Sequence, residues 1–139
     1  MGKGSERLSK LVSNFVCVGF VVLLGGCPAP TPQERIGQLG GVVTPRGGGV
    51  IDLDLSGTNV TDQDMSYVHG LCSNDAQLNS IHTLDLSGTA ITDESIKFMM
   101  MQRQFPSGGM QVLVLTDTAV SDAVIEEFAA SAPKVRVIR

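Results

Sequence analysis

The sequence predicts an α/β chain in which one strand–turn–helix unit is laid down about three and a half times, as a solenoid with parallel strands on one side and helices on the other. Two observations carry that expectation. The hexapeptide LDLSGT occurs at residues 53–58 and again, unchanged, at 84–89. A third segment, MQVLVLTDTAVSD at 110–122, keeps the order of apolar, Thr and Asp positions found in VIDLDLSGTNVTD at 50–62 and IHTLDLSGTAITD at 81–93. The copies begin 31 and 29 positions apart, and a fourth begins 25 positions later at Val135 and reaches Ile138. Such a period marks supersecondary units that bury their apolar faces only by stacking on neighbours.

Taken in order, the chain opens with a leader. Lys3, Arg7 and Lys10 precede the apolar run Phe15 to Leu24, which is too short to cross roughly 30 Å of hydrocarbon as a helix but suits a secretory signal. Leu24, Gly25, Gly26 and Cys27 follow. This LGGC stretch resembles the lipobox of bacterial lipoproteins. The resemblance implies that residues 1–26 are removed as a signal peptide and that Cys27 carries lipid at the start of the mature protein. Two or three acyl chains, each contributing about 0.8 kcal/mol per buried CH₂, would hold a small domain firmly on a membrane. Residues 27–31, CPAPT, leave only a short tether.

Residues 32–49 read as an N-terminal cap. Thr31 and Glu34 have the spacing of a capping box, with Pro32 at the first helical position, which predicts a short helix over 32–38. A hairpin follows, from Val42 to Thr44 across PRGGG into the first repeat strand.

Residues 50–139 hold the repeats. The alternation Leu53, Asp54, Leu55 sends two leucines to one face of a strand and the aspartate to the other. Gly57 and Gly88 permit a turn at positive φ, and Asp117 is a residue type that tolerates the same conformation. The pairs Thr61-Asp62, Thr92-Asp93 and Ser121-Asp122 then open helices, supplying oxygen to free amides and negative charge to the positive end of the helix. Met65 and Val68, Ile96 and Met99, and Ile125 and Phe128 occupy equivalent places on the helix faces directed inward. The longer stretches Ser73 to Ser80 and Gln102 to Gly109 read as loops.

These residues resemble the leucine-rich repeat family, in its bacterial variety with threonine at the position usual for asparagine and an (I/V)TD start to the helix. The lead Ile36, Leu39, Gly40, Gly41 and Val43 also resembles the approach to the repeats in such proteins. The resemblance covers about residues 50 to 139 and implies a concave parallel sheet. Register then lists the residues available to a partner on that sheet: Asp52, Thr83 and Val112 in one row, Asp54, Asp85 and Val114 in the next, and Ser56, Ser87 and Thr116 in the third. The fourth strand is expected to add Val137 and Arg139 to the first two rows. It also ends the stack without a capping helix, so Arg136 and Arg139 would blunt an open edge.

Charge and composition narrow the function. Lys and Arg number 10 against 14 Asp and Glu, and Lys3, Arg7 and Lys10 fall in the leader. Without a basic stripe, and with aromatics at 4%, nucleic-acid binding is not expected. Cys17 leaves with the signal and Cys27 is taken by lipid, so Cys72 stands alone as a small apolar core residue rather than a disulfide or metal ligand. Asp54 and Asp85, about 4.8 Å apart on neighbouring strands, have the spacing of a cation or paired-carboxylate site. An aspartate within LDLS is nevertheless an ordinary solvent-facing residue of this repeat, and neither metal nor cofactor is expected. Successive helical residues diverge by about 100°, so Met99, Met100 and Met101 cannot converge on one ion. No nucleophile–base pair accompanies them, and no enzyme is expected. The reading is a protein-binding module anchored to a bacterial cell membrane or outer membrane by its lipid, facing the periplasm or exterior. The alternative is an envelope assembly element that self-associates weakly through its last strand.

Overall fold

A computed structural model of the protein describes residues 28–73, 80–102 and 109–139. Within them the chain is mixed α/β, with a five-stranded sheet in the order β1-β2-β3-β4-β5 and four α-helices. The elements are α1 (Pro32–Gln38), β1 (Val42–Gly47), β2 (Val50–Asp54), a 3-10 turn (Asp62–Asp64) running into α2 (Met65–Ser73), β3 (Ser80–Asp85), α3 (Asp93–Met101), β4 (Val112–Val114), α4 (Asp122–Ser131) and β5 (Arg136–Ile138). The leader and Cys27 lie outside the described residues, as do 74–79 and 103–108 within the two stretches read as loops. Among the described residues no helix is long and apolar enough to cross a membrane.

The cap forms as its sequence dictates. Thr31 accepts from the Glu34 amide at 3.3 Å while the Glu34 carboxylate accepts from the Thr31 amide at 2.9 Å, with Pro32 in the first turn. Gly41 lies where the chain turns back toward β1. A Cβ there would stand 2.5 Å from Leu55 Cδ2 and 2.7 Å from Ile36 Cγ2, so only glycine lets the cap close on the first leucines. β1 then runs antiparallel to β2, turning at Gly48 and Gly49 with φ of 62° and 76°.

From β2 onward all pairing is parallel and register is set by leucines. Leu53 pairs with Leu84, Leu84 with Leu113, and Leu113 with Val137. After β2, β3 and β4 the chain turns at φ of 63°, 64° and 56° through Gly57, Gly88 and Asp117. Thr58, Thr89 and Thr118 close these turns by donating to the carbonyls of Leu55, Leu86 and Leu115 at 2.6, 2.6 and 2.7 Å. Met65, Val68, Ile96, Met99 and Phe128 bring the helices onto the same apolar core. In α4, Val124 takes the buried place and Ile125 is only half-buried. A fully buried Leu or Ile contributes roughly 2 kcal/mol, and Leu53, Leu55, Leu84, Leu86, Leu113, Ile91 and Ile96 are all at or below 1% to 2% exposure. Met99 is buried, Met100 half-buried and Met101 exposed, so the three methionines share no common direction.

The last strand departs from the expected register by one residue. Arg136 pairs with Val112, Val137 with Leu113 and Ile138 with Val114. Gln111 stands between Met110 and Val112, whereas the Arg136 amide, directly after buried Val135, already donates to the Gln111 carbonyl at 2.8 Å. The chain therefore joins the ladder one position early. Val137 turns toward the core, and Arg136 and Ile138 take the places expected for Val137 and Arg139.

The helix-opening aspartates also act differently from expectation. Asp62 reaches across to the following unit, accepting from the Thr92 amide at 2.9 Å, the Thr92 hydroxyl at 2.8 Å and the Ser95 hydroxyl. Asp93 does the same with the Ser121 amide and hydroxyl, at 2.6 and 2.8 Å. Asp122 pairs with the Arg139 guanidinium, which also donates to the Val120 carbonyl at 3.4 Å. The equivalent carbonyl of Val60 accepts from the Ala90 amide of the following unit. Arg139 thus satisfies acceptors that earlier units satisfy with the backbone and hydroxyls of their successors. At the other end, Arg35 of α1 donates to Asp64 at 2.7 Å and ties the cap to the first repeat.

These carboxylates are stabilised as anions. For Asp62 burial acts to raise the carboxyl, but the Ser95 hydroxyl and the Thr92 amide and hydroxyl outweigh it and hold the group below its ordinary 3.8. Asp64 is held low in the same way by Arg35 and Thr61 against burial, and Asp93 by the Ser121 amide and hydroxyl. Their folded values lie below the unfolded ones, so their contribution is complete above the unfolded value and lost as pH falls through the folded values. Asp62→Ala is expected to lower stability by on the order of 2 kcal/mol, and Asp93→Ala, whose carboxylate is exposed and has fewer donors, by less. Urea unfolding at neutral pH checks the order, and the same series below about pH 4 should show the gap between wild type and Asp62→Ala narrowing.

Candidate functional site

The sheet has one face against the helices and one free of them. Alternation along each strand sends Leu53, Leu84 and Leu113 inward and leaves their neighbours on the open face. There register brings together Thr44, Asp52, Thr83, Val112 and Arg136 in one row and Val42, Asp54, Asp85, Val114 and Ile138 in the next. Ser56, Ser87 and Thr116 form a third row at the turns, where the Gly57 amide donates to the Ser87 carbonyl and the Gly88 amide to the Thr116 carbonyl. All nine residues singled out from sequence are therefore neighbours on one surface, and each is exposed or half-buried. Val42 and Thr44 join them from the hairpin, and Val42 is 56% exposed.

Asp54 and Asp85 stand opposite one another in the ladder, yet each is turned toward its own strand end. The Asp54 carboxylate accepts from the Ser56 hydroxyl at 2.6 Å and amide at 2.9 Å, and Asp85 accepts from Ser87 at 2.5 and 2.9 Å. The Ser56 hydroxyl, then its amide, hold the Asp54 carboxyl below the usual carboxylate range. These aspartates fasten the turns, and one oxygen of each is taken up in doing so. Among the described residues no group of three or more His, Cys, Asp or Glu is placed to hold a metal ion. Cys72 is half-buried against the core, and burial pushes its thiol up.

Asp52 is built differently. The pairing of β1 with β2 slips between Pro45 and Gly47, and that of β2 with β3 slips at Asp52, which pairs with Thr83 although Ile51 pairs with Ile81. Arg46 and His82 are the extra residues of these two bulges. A bulge re-aims its unpaired side chain, and both converge on Asp52. Arg46 Nε lies 2.9 Å from one carboxylate oxygen and His82 Nδ1 lies 3.4 Å from the other. Arg46 Nη1 is 2.9 and 3.1 Å from the two ring nitrogens, and Thr83 Oγ1 is 3.0 Å from His82 Nδ1. The Asp52 oxygen nearer His82 is enclosed without an aligned hydrogen-bond donor. Sequence reasoning listed Asp52 and Thr83 but not Arg46 or His82, because strict alternation excludes them and only the bulges bring them to the face. The other histidine, His69, packs edge-on against Phe98 at 6.1 Å, away from this group.

In sequence comparisons no protein-family model matches the chain and no curated protein matches it. Its chemistry is read from the face itself, which carries two turn-fastening aspartates, a balanced Arg–Asp–His group and an apolar flank of Val112, Val114 and Ile138. Ser56→Ala should raise the Asp54 titration toward 3.8, since it removes the hydroxyl that favours the anion. Carboxyl NMR across pH 2 to 6 reads the shift directly, and an unchanged midpoint would show that the hydroxyl contributes nothing.

Proposed function

We propose that this chain is a leucine-rich repeat module, tethered to a bacterial membrane by lipid on Cys27, that uses its concave sheet to bind a protein partner. The observation that carries the reading is the open face. Parallel register sets Asp52, Asp54, Ser56, Thr83, Asp85, Ser87, Val112, Val114 and Thr116 side by side over at least three strands. A rigid surface mixing apolar side chains with ordered polar groups suits protein recognition, and its small size suits moderate affinity. The recurring turn threonines, the Leu53–Leu84–Leu113 register and the strand–turn–helix order support the family reading. Arg139, by occupying the Asp122 and Val120 acceptors, favours recognition over self-association through β5.

Two measurements test this function. Crosslinking in cells followed by identification of captured proteins should give a partner with wild type that is lost with Val112→Lys/Val114→Lys, whose side chains make no hydrogen bonds to the fold. Identical capture by both would remove the open face from the account. Separately, Cys27→Ser should move the protein from the membrane pellet to the soluble fraction, and unchanged pelleting would exclude the lipid anchor.

A further inference from the structure

Exposed apolar side chains are few in this protein, and most of them gather at one place. Among the described residues Val42 is 56% exposed, Val43 37% and Met101 77%, and no other large apolar side chain stands so open. Two of the three are consecutive residues of β1. That strand is the first of the sheet, so one of its edges pairs with no strand among the described residues, and all six of its residues are exposed. Val42 lies opposite Asp54 on the open face, and Val43 lies opposite Leu53, which is itself 1% exposed. The cover over the core therefore ends at β1.

Charge divides the chain at the same boundary. Residues 28–49 hold Arg35 and Arg46 against Glu34, a net charge of +1, while residues 50–139 hold five Lys and Arg against twelve Asp and Glu, a net charge of −7. The cap is thus the positive end of an acidic stack, so an anionic surface attracts it and repels the rest. Arg46 stands on β1 with Nε on Asp52 and 48% of its side chain exposed.

Position supplies a third observation. Pro28 to Thr31 lead without regular structure into α1. The five residues from Cys27 to Thr31 reach about 15 Å when extended. Ile36, one turn into α1, lies close to Gly41, where a Cβ would stand 2.7 Å from Ile36 Cγ2. The start of α1 and the start of β1 therefore share one end of the stack, next to the tether.

We propose that β1 is a membrane-resting edge: with Cys27 acylated, Val42, Val43 and Arg46 settle into the interface of a bilayer containing anionic phospholipid, and the repeats rise away from it. This rests on the lipid anchor stated under Proposed function. The backbone limits the depth. The outer edge of β1 carries unpaired N–H and C=O groups, which hydrocarbon does not tolerate. The strand accordingly lies among headgroups, where water and phosphate satisfy those groups, and the valines reach about 5–10 Å toward the acyl chains. Strand order then becomes order of height, at about 4.8 Å per strand, which sets β5 roughly 19 Å above β1. Val112, Val114 and Ile138 form the part of the open face farthest from lipid, turned sideways rather than down.

The test uses the full acylated chain on nanodiscs of phosphatidylethanolamine and phosphatidylglycerol that carry a spin label near the top of an acyl chain. Amide NMR reads how strongly the label broadens each residue. Val42, Val43, Thr44 and Arg46 are expected to broaden several-fold more than Arg136, Val137 and Ile138. Val42→Asp/Val43→Asp should bring the two strands to equal broadening while the protein still co-migrates with the discs. Equal broadening of β1 and β5 in a wild type that co-migrates would overturn the docking and leave the anchor standing, and so would a variant whose β1 broadens as strongly as in wild type. A wild type that does not co-migrate with the discs overturns the anchor, and the docking with it. If the double variant loses its folded amide spectrum, Val42→Asp, on the open face and away from the core, takes its place with the same two outcomes.

Discussion

Every unit of this chain depends on its neighbour for the same reason: a strand of three to six residues and a helix of nine or ten cannot exclude water from their shared leucines by themselves. Parallel register supplies the missing cover, and a slip of one position would turn each leucine to solvent. Backbone pairing alone leaves the helices free to slide. The carboxylates at their starts remove that freedom, since Asp62 and Asp93 each hold both the amide and the hydroxyl of the next cap. One short side chain thus links the helix layer at the spacing that the strands impose on the sheet layer.

Much of this was legible in the sequence because it rests on local chemistry. The Thr31–Glu34 capping box, the turns at Gly57, Gly88 and Asp117, and the pairing of Leu53 with Leu84 and Leu113 follow from residue types with narrow conformational preferences. The open face was legible for the same reason, as alternation needs no knowledge of distant contacts. What escaped was non-local. The reach of Asp62 to Thr92 and Ser95 spans about one repeat, and a Thr-Asp pair has the same letters whether it caps its own helix or its neighbour's. The one-residue shift of β5 depends on where Arg136 first meets Gln111, and apolar spacing from Val135 to Ile138 fits either register. His82 belongs to no repeating series, and that irregularity is the bulge itself.

Three aspartates on one face show how far backbone context governs chemistry. Asp54 and Asp85 lie in regular pairing, two residues before a serine, and each accepts from that serine's amide and hydroxyl. Asp52 is followed at the same distance by Asp54, whose side chain has no donor to offer, and its carboxylate finds partners across strands. The two bulges provide them, as an arginine and a histidine where the turns provide a serine's amide and hydroxyl. The repeat therefore holds most of the face through local turns, and its one irregular row is held by side chains that cross between strands.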